Sequence, residues 1–255
     1  MESELFVAER SRQAAPAKEA PPFLSLAVLC YRSEERIVHF VEKMHSVLSD
    51  YNFPWELVLV ANYEKEREDR TPEIVAKLVE RLPKTKLVAL EKRGRMGWDM
   101  VTGLAACDGE FLGVVDGDGQ FPHEAVNACV GRLLHEDLDL VKTYRVLRGD
   151  GPVRFALSFA YNGLFRLLFP ASRYFDINSK PKFFRRSAYE KLAIESTDWF
   201  ADAEIMIKAG RLGLRVAELP VHYRELEGRY SFVDAGTILE FLRNLWRYRF
   251  GDKRS

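Results

Sequence analysis

Glu110-Phe-Leu-Gly-Val-Val-Asp-Gly-Asp-Gly-Gln-Phe-Pro-His-Glu124 is the stretch whose reading decides the fold. The run Phe111 to Val115 reads as a short strand buried on both faces. It ends abruptly in two carboxylates, Asp116 and Asp118, one glycine apart. Side chains two apart on an extended segment point the same way, so both project from one edge, just past the strand's carboxyl end. In open α/β sheets that edge is where ligands bind. Two adjacent anions are costly unless a cation joins them, and a hard divalent ion carrying a phosphate-bearing substrate is the simplest answer. Gln120 adds a third oxygen donor. Asp-Gly-Asp-Gly is also ordinary turn chemistry, and a solvated acidic loop needs no metal. The buried strand before it and Gln120 after it favour the ligand site. Phe121-Pro-His-Glu reads as a helix start with Pro122 near the first turn.

Around this segment, strand-like runs alternate with amphipathic ones through the first 145 residues. Leu24 to Cys30, Trp55 to Val60, Lys86 to Leu90 and Leu138 to Lys142 read as further strands. Apolar residues at helical spacing predict helices over Glu34–Leu48, over Pro72–Leu82 with Thr71 as N-cap, and over Trp98–Cys107. Alternation of this kind implies a mostly parallel sheet with right-handed crossovers. After residue 150 the texture changes. An aromatic helix is expected over 153–169, a polar, basic loop over Asp176–Arg186, a helix over Phe200–Leu212 and an extended run over Leu214–Tyr223. A last helix, Ile238–Phe250, carries Glu240, Arg243, Asn244 and Arg247 on one stripe. Residues 1–22 read as a mobile tail, 23–232 as a single α/β domain, and 233–255 as a basic amphipathic helix.

The chain of 255 residues suffices for one well-cored domain, and Lys+Arg equals Asp+Glu at 38 each. That balance points to no nucleic-acid partner. Cys30, Cys107 and Cys129 are widely spaced, and no Cys-x-x-Cys suggests zinc or a disulfide framework; buried, reduced thiols in a cytoplasmic protein are expected. No apolar run reaches membrane-spanning length, and the start Met1-Glu-Ser-Glu lacks a signal-peptide pattern.

Several segments resemble one known family. Ser25-Leu-Ala-Val-Leu-Cys-Tyr-Arg-Ser-Glu-Glu-Arg-Ile resembles the opening strand and turn of family 2 glycosyltransferases with the GT-A (nucleotide-diphospho-sugar transferase) fold. Arg93-Gly-Arg-Met-Gly-Trp-Asp-Met-Val-Thr-Gly-Leu is similar to their glycine-containing segment, and Asp116-Gly-Asp-Gly-Gln to their Asp-x-Asp-x-Gln metal motif. Within the family, the second half resembles dolichol-phosphate and other polyprenyl-phosphate sugar transferases. Arg145, Arg154, Ser158 and Asn162 match their arginine and Arg-x-x-x-Ser positions. Asp176-Ile-Asn-Ser-Lys-Pro-Lys-Phe-Phe-Arg-Arg is similar to Asp-x-x-Ser-Gly-x-Arg-x-Phe-x-Arg. Trp199-Phe-Ala-Asp-Ala-Glu and Leu219-Pro-Val-His-Tyr-Arg-Glu-Leu-Glu-Gly-Arg-Tyr-Ser match closing segments. Three departures stand out: Ala61 and Asn62 replace two aspartates after the second strand; Lys180 replaces the glycine and Lys182 the arginine; and the closing basic pattern is altered around Gly228.

The resemblance implies metal-dependent, inverting transfer of a sugar from a nucleotide-sugar donor to a polyprenyl (dolichyl or undecaprenyl) phosphate. It implies Mg²⁺ or Mn²⁺ on Asp116, Asp118 and Gln120. The donor set would be Tyr31, Glu35, Ala61, Asn62, Arg93, Asp99, Asp116 and Gly117; Asn62 would meet the base edge. The acceptor phosphate would lie among Arg145, Arg154, Ser158, Lys182 and either Arg224 or Arg229. A phosphate needs no strong base. A sugar or glycan hydroxyl acceptor, the first alternative, would need Asp202 or Glu204 as one. The second alternative is a non-catalytic GT-A scaffold or binding protein, favoured by Ala61 and Asn62. His222 is expected to be structural, with metal ligation the minority reading, and His123 a surface residue. Arg243, Arg247, Arg249, Lys253 and Arg254 against Asp252 give residues 243–255 a net charge of 5 − 1 = +4. That segment suits peripheral contact with an anionic membrane or a membrane partner, or else core packing or a dimer interface.

Overall fold

The computed structural model describes residues 21–146, 152–172, 174–224 and 235–251; of residues 152–158, 235, 237 and 238 the backbone alone is described. The expected tail and the segment around Gly228 and Arg229 lie outside the described residues.

Strands β1 (Leu24–Leu29), β2 (Trp55–Val60), β3 (Thr85–Val88), β4 (Phe111–Asp116), β5 (Leu140–Arg145), β6 (Lys182–Arg185) and β7 (Val216–Val221) form one sheet in the order β3-β2-β1-β4-β6-β5-β7. β1 to β4 pair in parallel, as do β5 and β7, while β6 runs antiparallel between β4 and β5. The helices are α1 (Arg36–Ser49), α2 (Thr71–Arg81), α3 (Met96–Ala105), α4 (Glu124–His135), α5 (Pro152–Leu168), α6 (Arg186–Leu192), α7 (Ala201–Arg211) and α8 (Ala235–Phe250). This is the GT-A-like α/β architecture.

Period-two alternation splits the core into two layers. Leu26, Val28, Leu57 and Leu59 face a layer with Ile37, Met44, Ile74, Leu78 and Val126. Ala27, Leu29, Val58 and Val60 face the other, with Met100, Leu104, Phe165, Leu192 and Ile205. The central strands are buried on both faces, which is why they read as near-continuous apolar runs, interrupted by the buried Ser25 and Glu56, rather than alternating ones. Gly113 is required here, since a Cβ would stand 2.3 Å from the Phe183 ring on the neighbouring strand.

Three sequence expectations are corrected. The stretch Asp176–Arg186 is not all loop: Lys182–Arg185 is β6, with Lys182, Phe183 and Phe184 buried. A strand of four residues with charged ends carries too little pattern to be seen beside a basic turn. Thr71 is not the N-cap of α2 but its first residue. Asp69 accepts its N–H at 3.0 Å and its hydroxyl at 2.6 Å. Finally, His123 is half-buried, packed against Phe40 and Phe121, and burial pushes its pKa down.

Candidate active site

Because β1, β2, β4, β5 and β7 run the same way, their carboxyl ends share one edge; β6 runs oppositely, so its amino end joins them. That edge gathers Tyr31, Asn62, Asp116–Gln120, Arg145, Lys180, Lys182 and Arg224. Asp116 is the last residue of β4, in register with Leu29. Gly117 donates its N–H to the Leu29 carbonyl at 2.9 Å. A Cβ on Gly117 would meet that carbonyl at 2.8 Å and the Ile37 side chain at 2.6 Å, so glycine alone lets the chain leave the sheet here. One Asp118 carboxylate oxygen accepts the Gln120 N–H at 3.1 Å, closing an Asx-type turn. Gln120 is buried, and its carbonyl accepts the Arg224 N–H at 2.7 Å, tying the segment after β7 to the acidic motif. Asp116 keeps 39% of its side chain exposed.

Beneath Asp116 lies a buried charge cluster. The Lys180 ammonium is 3.5 Å from Asp116 Oδ1 and 2.9 Å from Asp202 Oδ2. The Lys182 ammonium donates to Asp202 Oδ1 at 2.5 Å and to the carbonyls of Ser179 and Ile177 at 2.8 and 3.1 Å. Three acceptors for three N–H groups suit a charged lysine. Burial pulls Lys182 down to about 8, with Asp202 pulling the other way. Burial opposes the Lys180 charge too, but Asp116 and Asp202 outweigh it and hold its pKa above the ordinary value. The Asp202 carboxyl resists burial in the same way, held below the usual range by Lys180 and Lys182. A third buried ammonium, Lys142, donates to the Thr143 and Asp176 carbonyls and to Glu218, fixing the loop from the other side.

The remaining candidates divide clearly. Lys182 is turned inward and fully buried, so it does not stand with the acceptor cations; Asp202, 20 residues further on, draws it in. Glu204 is buried as well. Its carboxylate accepts the N–H groups of Glu195 and Ser196 and pairs with Lys208 at 2.7 Å, which makes it an anchor for the loop before α7. These bonds outweigh burial and lower its pKa. Asn62 is also spent internally, contrary to its expected place on a base edge. Its amide donates to Asp99 and Thr102, both at 2.9 Å, and its oxygen accepts the Leu90 N–H at 2.9 Å. Asp99 is buried against the Lys92 ammonium; burial raises its pKa, with Lys92 pulling the other way. Ala61 is fully buried in the core.

Tyr31 lies just past β1, its hydroxyl donating to Glu64 at 2.6 Å and its ring 4.0 Å from the Lys92 ammonium. Its pKa is pushed up to about 12 by burial and by Glu64. Glu35 is exposed at the N-cap of α1, and Arg93 is exposed before α3. Arg145 grips Asp176 through two bonds, 2.6 and 3.0 Å. Arg224 and His222 are exposed beyond β7. The side chains of Arg154 and Ser158 lie outside the described residues, as does Arg229. Asn162, on the same helix, accepts the Ile177 N–H at 3.1 Å. Sequence reasoning assigned no role to Lys180, Lys92, Glu64 or Lys142. For Lys180 a signal existed, since it stands where the resemblance has glycine.

The sequence profile of glycosyl transferase family 2 matches residues 25–193. Dolichyl-phosphate beta-glucosyltransferase ALG5A of Trichomonas vaginalis is 26% identical over 228 residues, spanning 82% of this chain and 68% of its own length. Glycosyltransferase AglD of Haloferax volcanii is 28% identical over 218 residues; the match spans 83% of this chain but 35% of that longer protein. Among solved structures, glucosyl-3-phosphoglycerate synthase from Mycobacterium tuberculosis, in complex with Mn²⁺, uridine diphosphate and glucosyl-3-phosphoglycerate, superposes with a TM-score of 0.69. Sequence identity there is 19%, covering 92% of this chain and 82% of that one.

Proposed function

The chain belongs to glycosyl transferase family 2, and from that premise we propose that this glycosyltransferase moves a sugar from a nucleotide-diphosphate donor to a polyprenyl phosphate. The observation that carries the choice of acceptor is the state of Asp202. A hydroxyl acceptor needs a general base with access to its proton. Asp202 is 1% exposed, both its oxygens are held by ammonium groups, and its proton affinity is depressed. Glu204 is committed to backbone N–H groups. A phosphate acceptor needs neither, because it arrives as an anion. The Trichomonas relative, a dolichyl-phosphate glucosyltransferase, supports the same acceptor class.

In this reading an acceptor phosphate oxygen attacks the anomeric carbon from the face opposite the departing nucleoside diphosphate, and the configuration inverts. Tyr31, Glu35, Arg93 and the buried Asn62–Asp99–Lys92 cluster bound the donor end. Arg145 and the exposed Arg224 bring positive charge to the acceptor end. Asp116 and Asp118 are hard oxygen donors on one edge, beside the buried Gln120, and this donor set would fit a Mg²⁺ or Mn²⁺ site that a substrate's phosphates complete. A cation there would offset the charge developing on the leaving diphosphate.

Calorimetry with UDP, GDP, dTDP, CDP and their sugars, with and without Mn²⁺, tests the donor site. Binding of one nucleotide, strengthened by the metal, is expected. No binding by folded protein would favour the scaffold alternative. Radiolabel transfer to a polyprenyl phosphate, and not to free sugars, is the matching acceptor result.

Peripheral contact with a lipid surface belongs to the same proposal. No described helix is long and apolar enough to cross a membrane. On α8, Leu239, Leu242, Trp246 and Phe250 are exposed on one stripe beside the exposed Arg243, Arg247 and Arg249, which sets aside core packing for that face. Trp246 is 66% exposed. Changing Trp246 and Phe250 together to alanine is expected to lower partitioning onto anionic vesicles about tenfold or more. Unchanged vesicle sedimentation would contradict this surface.

A further inference from the structure

We propose that Lys180 is a built-in cation of the diphosphate site, competing with the divalent metal for Asp116 and partly replacing it. The inference rests on the donor-site reading above and deepens it. The family pattern has glycine at this position, so the reading comes from this chain's own geometry. The Lys180 ammonium is 3.5 Å from Asp116 Oδ1, and its side chain is 3% exposed. It is not mobile surface charge. Asp202 Oδ2 holds it at 2.9 Å from below, and Lys182 fixes Asp202 in turn at 2.5 Å. The Tyr223 hydroxyl donates to the Lys180 carbonyl, pinning the backbone as well.

Charge accounting explains the arrangement. Lys180 and Lys182 supply two positive charges; Asp116 and Asp202 supply two negative ones, so the cluster is neutral at 2 − 2 = 0. Asp116 thus has a counter-ion before any metal arrives. A divalent ion approaching Asp116 meets a fixed positive charge a few ångströms away, inside a partly dehydrated site where such repulsion is strong. The same ammonium attracts a nucleoside diphosphate when the metal is scarce. Two effects follow with opposite signs: weaker metal binding and stronger metal-free nucleotide binding than a neutral residue would give.

Lys180→Met and Lys180→Gln test this. Both leave the Asp202–Lys182 pair intact, and glutamine retains a donor toward Asp202. Mn²⁺ affinity, read by electron paramagnetic resonance in the presence of the nucleotide found above, is expected to tighten about tenfold or more in both variants. Metal-free nucleotide affinity is expected to fall by a similar factor. A merely structural role predicts the reverse for the metal, because damage to the site weakens every ligand. Unchanged or weaker Mn²⁺ binding by either folded variant, with native protein binding normally, overturns the inference alone. Native protein that binds neither nucleotide nor Mn²⁺ overturns the donor-site reading and the inference with it.

Discussion

Asp118→Ala is expected to abolish metal-supported donor binding and to lower kcat/KM about a thousandfold or more. Losses of that order accompany removal of a group that stabilises charge on a leaving group in a sheltered site. The fold should survive. Asp118 sits in the turn after β4, half-exposed, and its carboxylate accepts the Gln120 N–H. Losing that contact costs about 1 kcal/mol. The diagnostic result is therefore a dissociation: little change in the thermal midpoint, no Mn²⁺-dependent heat in nucleotide titration, and near-background transfer. Asp118→Ala that still bound nucleotide with the native Mn²⁺ dependence would remove the metal from this motif.

The second large effect is on stability. Asp202→Ala is expected to destabilise the protein by about 3–5 kcal/mol, because Lys180 and Lys182 would be left as buried ammonium groups, one of them with no carboxylate at all. For a chain of this size that corresponds to a fall in Tm of roughly 6–20 °C. Adding Lys182→Met, which replaces the stranded charge with a side chain of similar volume, should recover part of the loss; non-additivity is expected of groups in contact. The acid limb carries the same signature. Since the lysines hold the folded Asp202 pKa below its ordinary value, its stabilisation is complete above an unfolded value of about 3.9 and is lost as pH falls through the lower folded value. Asp202→Ala should lack that component in urea titrations between pH 5 and pH 2, a window of roughly that span around the unfolded value. A base role predicts something else: Asp202→Asn with native stability and a selective collapse of kcat. That result would restore the hydroxyl acceptor.

The fold was largely readable because its decisive elements are local. Leu24–Leu29, Trp55–Val60 and Phe111–Asp116 are apolar runs of strand length, and their exits carry small or acidic residues. The acidic motif was equally plain, because period-two geometry alone puts Asp116 and Asp118 on one side. What escaped is non-local. Nothing local marks Lys142, Lys180 and Lys182 as interior, since lysine is almost never fully buried unless paired. Their partners, Glu218 and Asp202, lie 76, 22 and 20 residues away. The internal bonds of Glu204 and Asn62 are hidden in sequence for the same reason. A carboxylate or amide declares no role until the backbone it anchors is in place, and the loop at 195–196 and Leu90 are brought there by tertiary packing.

The antiparallel strand β6 also shapes how the molecule is made. β4 and β5 are close in the chain, yet they do not pair with each other; residues 182–185 lie between them. A nascent chain that has just extruded β5 therefore holds a four-stranded half-sheet whose β4 rim has no partner. Exposed rims of that kind recruit other chains. The centrepiece arrives late, carrying Lys182 into the charge cluster as it docks. Closure of the sheet and assembly of the catalytic edge are thus a single event during synthesis, and a ribosome stalled before residue 182 would release a product prone to aggregate rather than a smaller working enzyme.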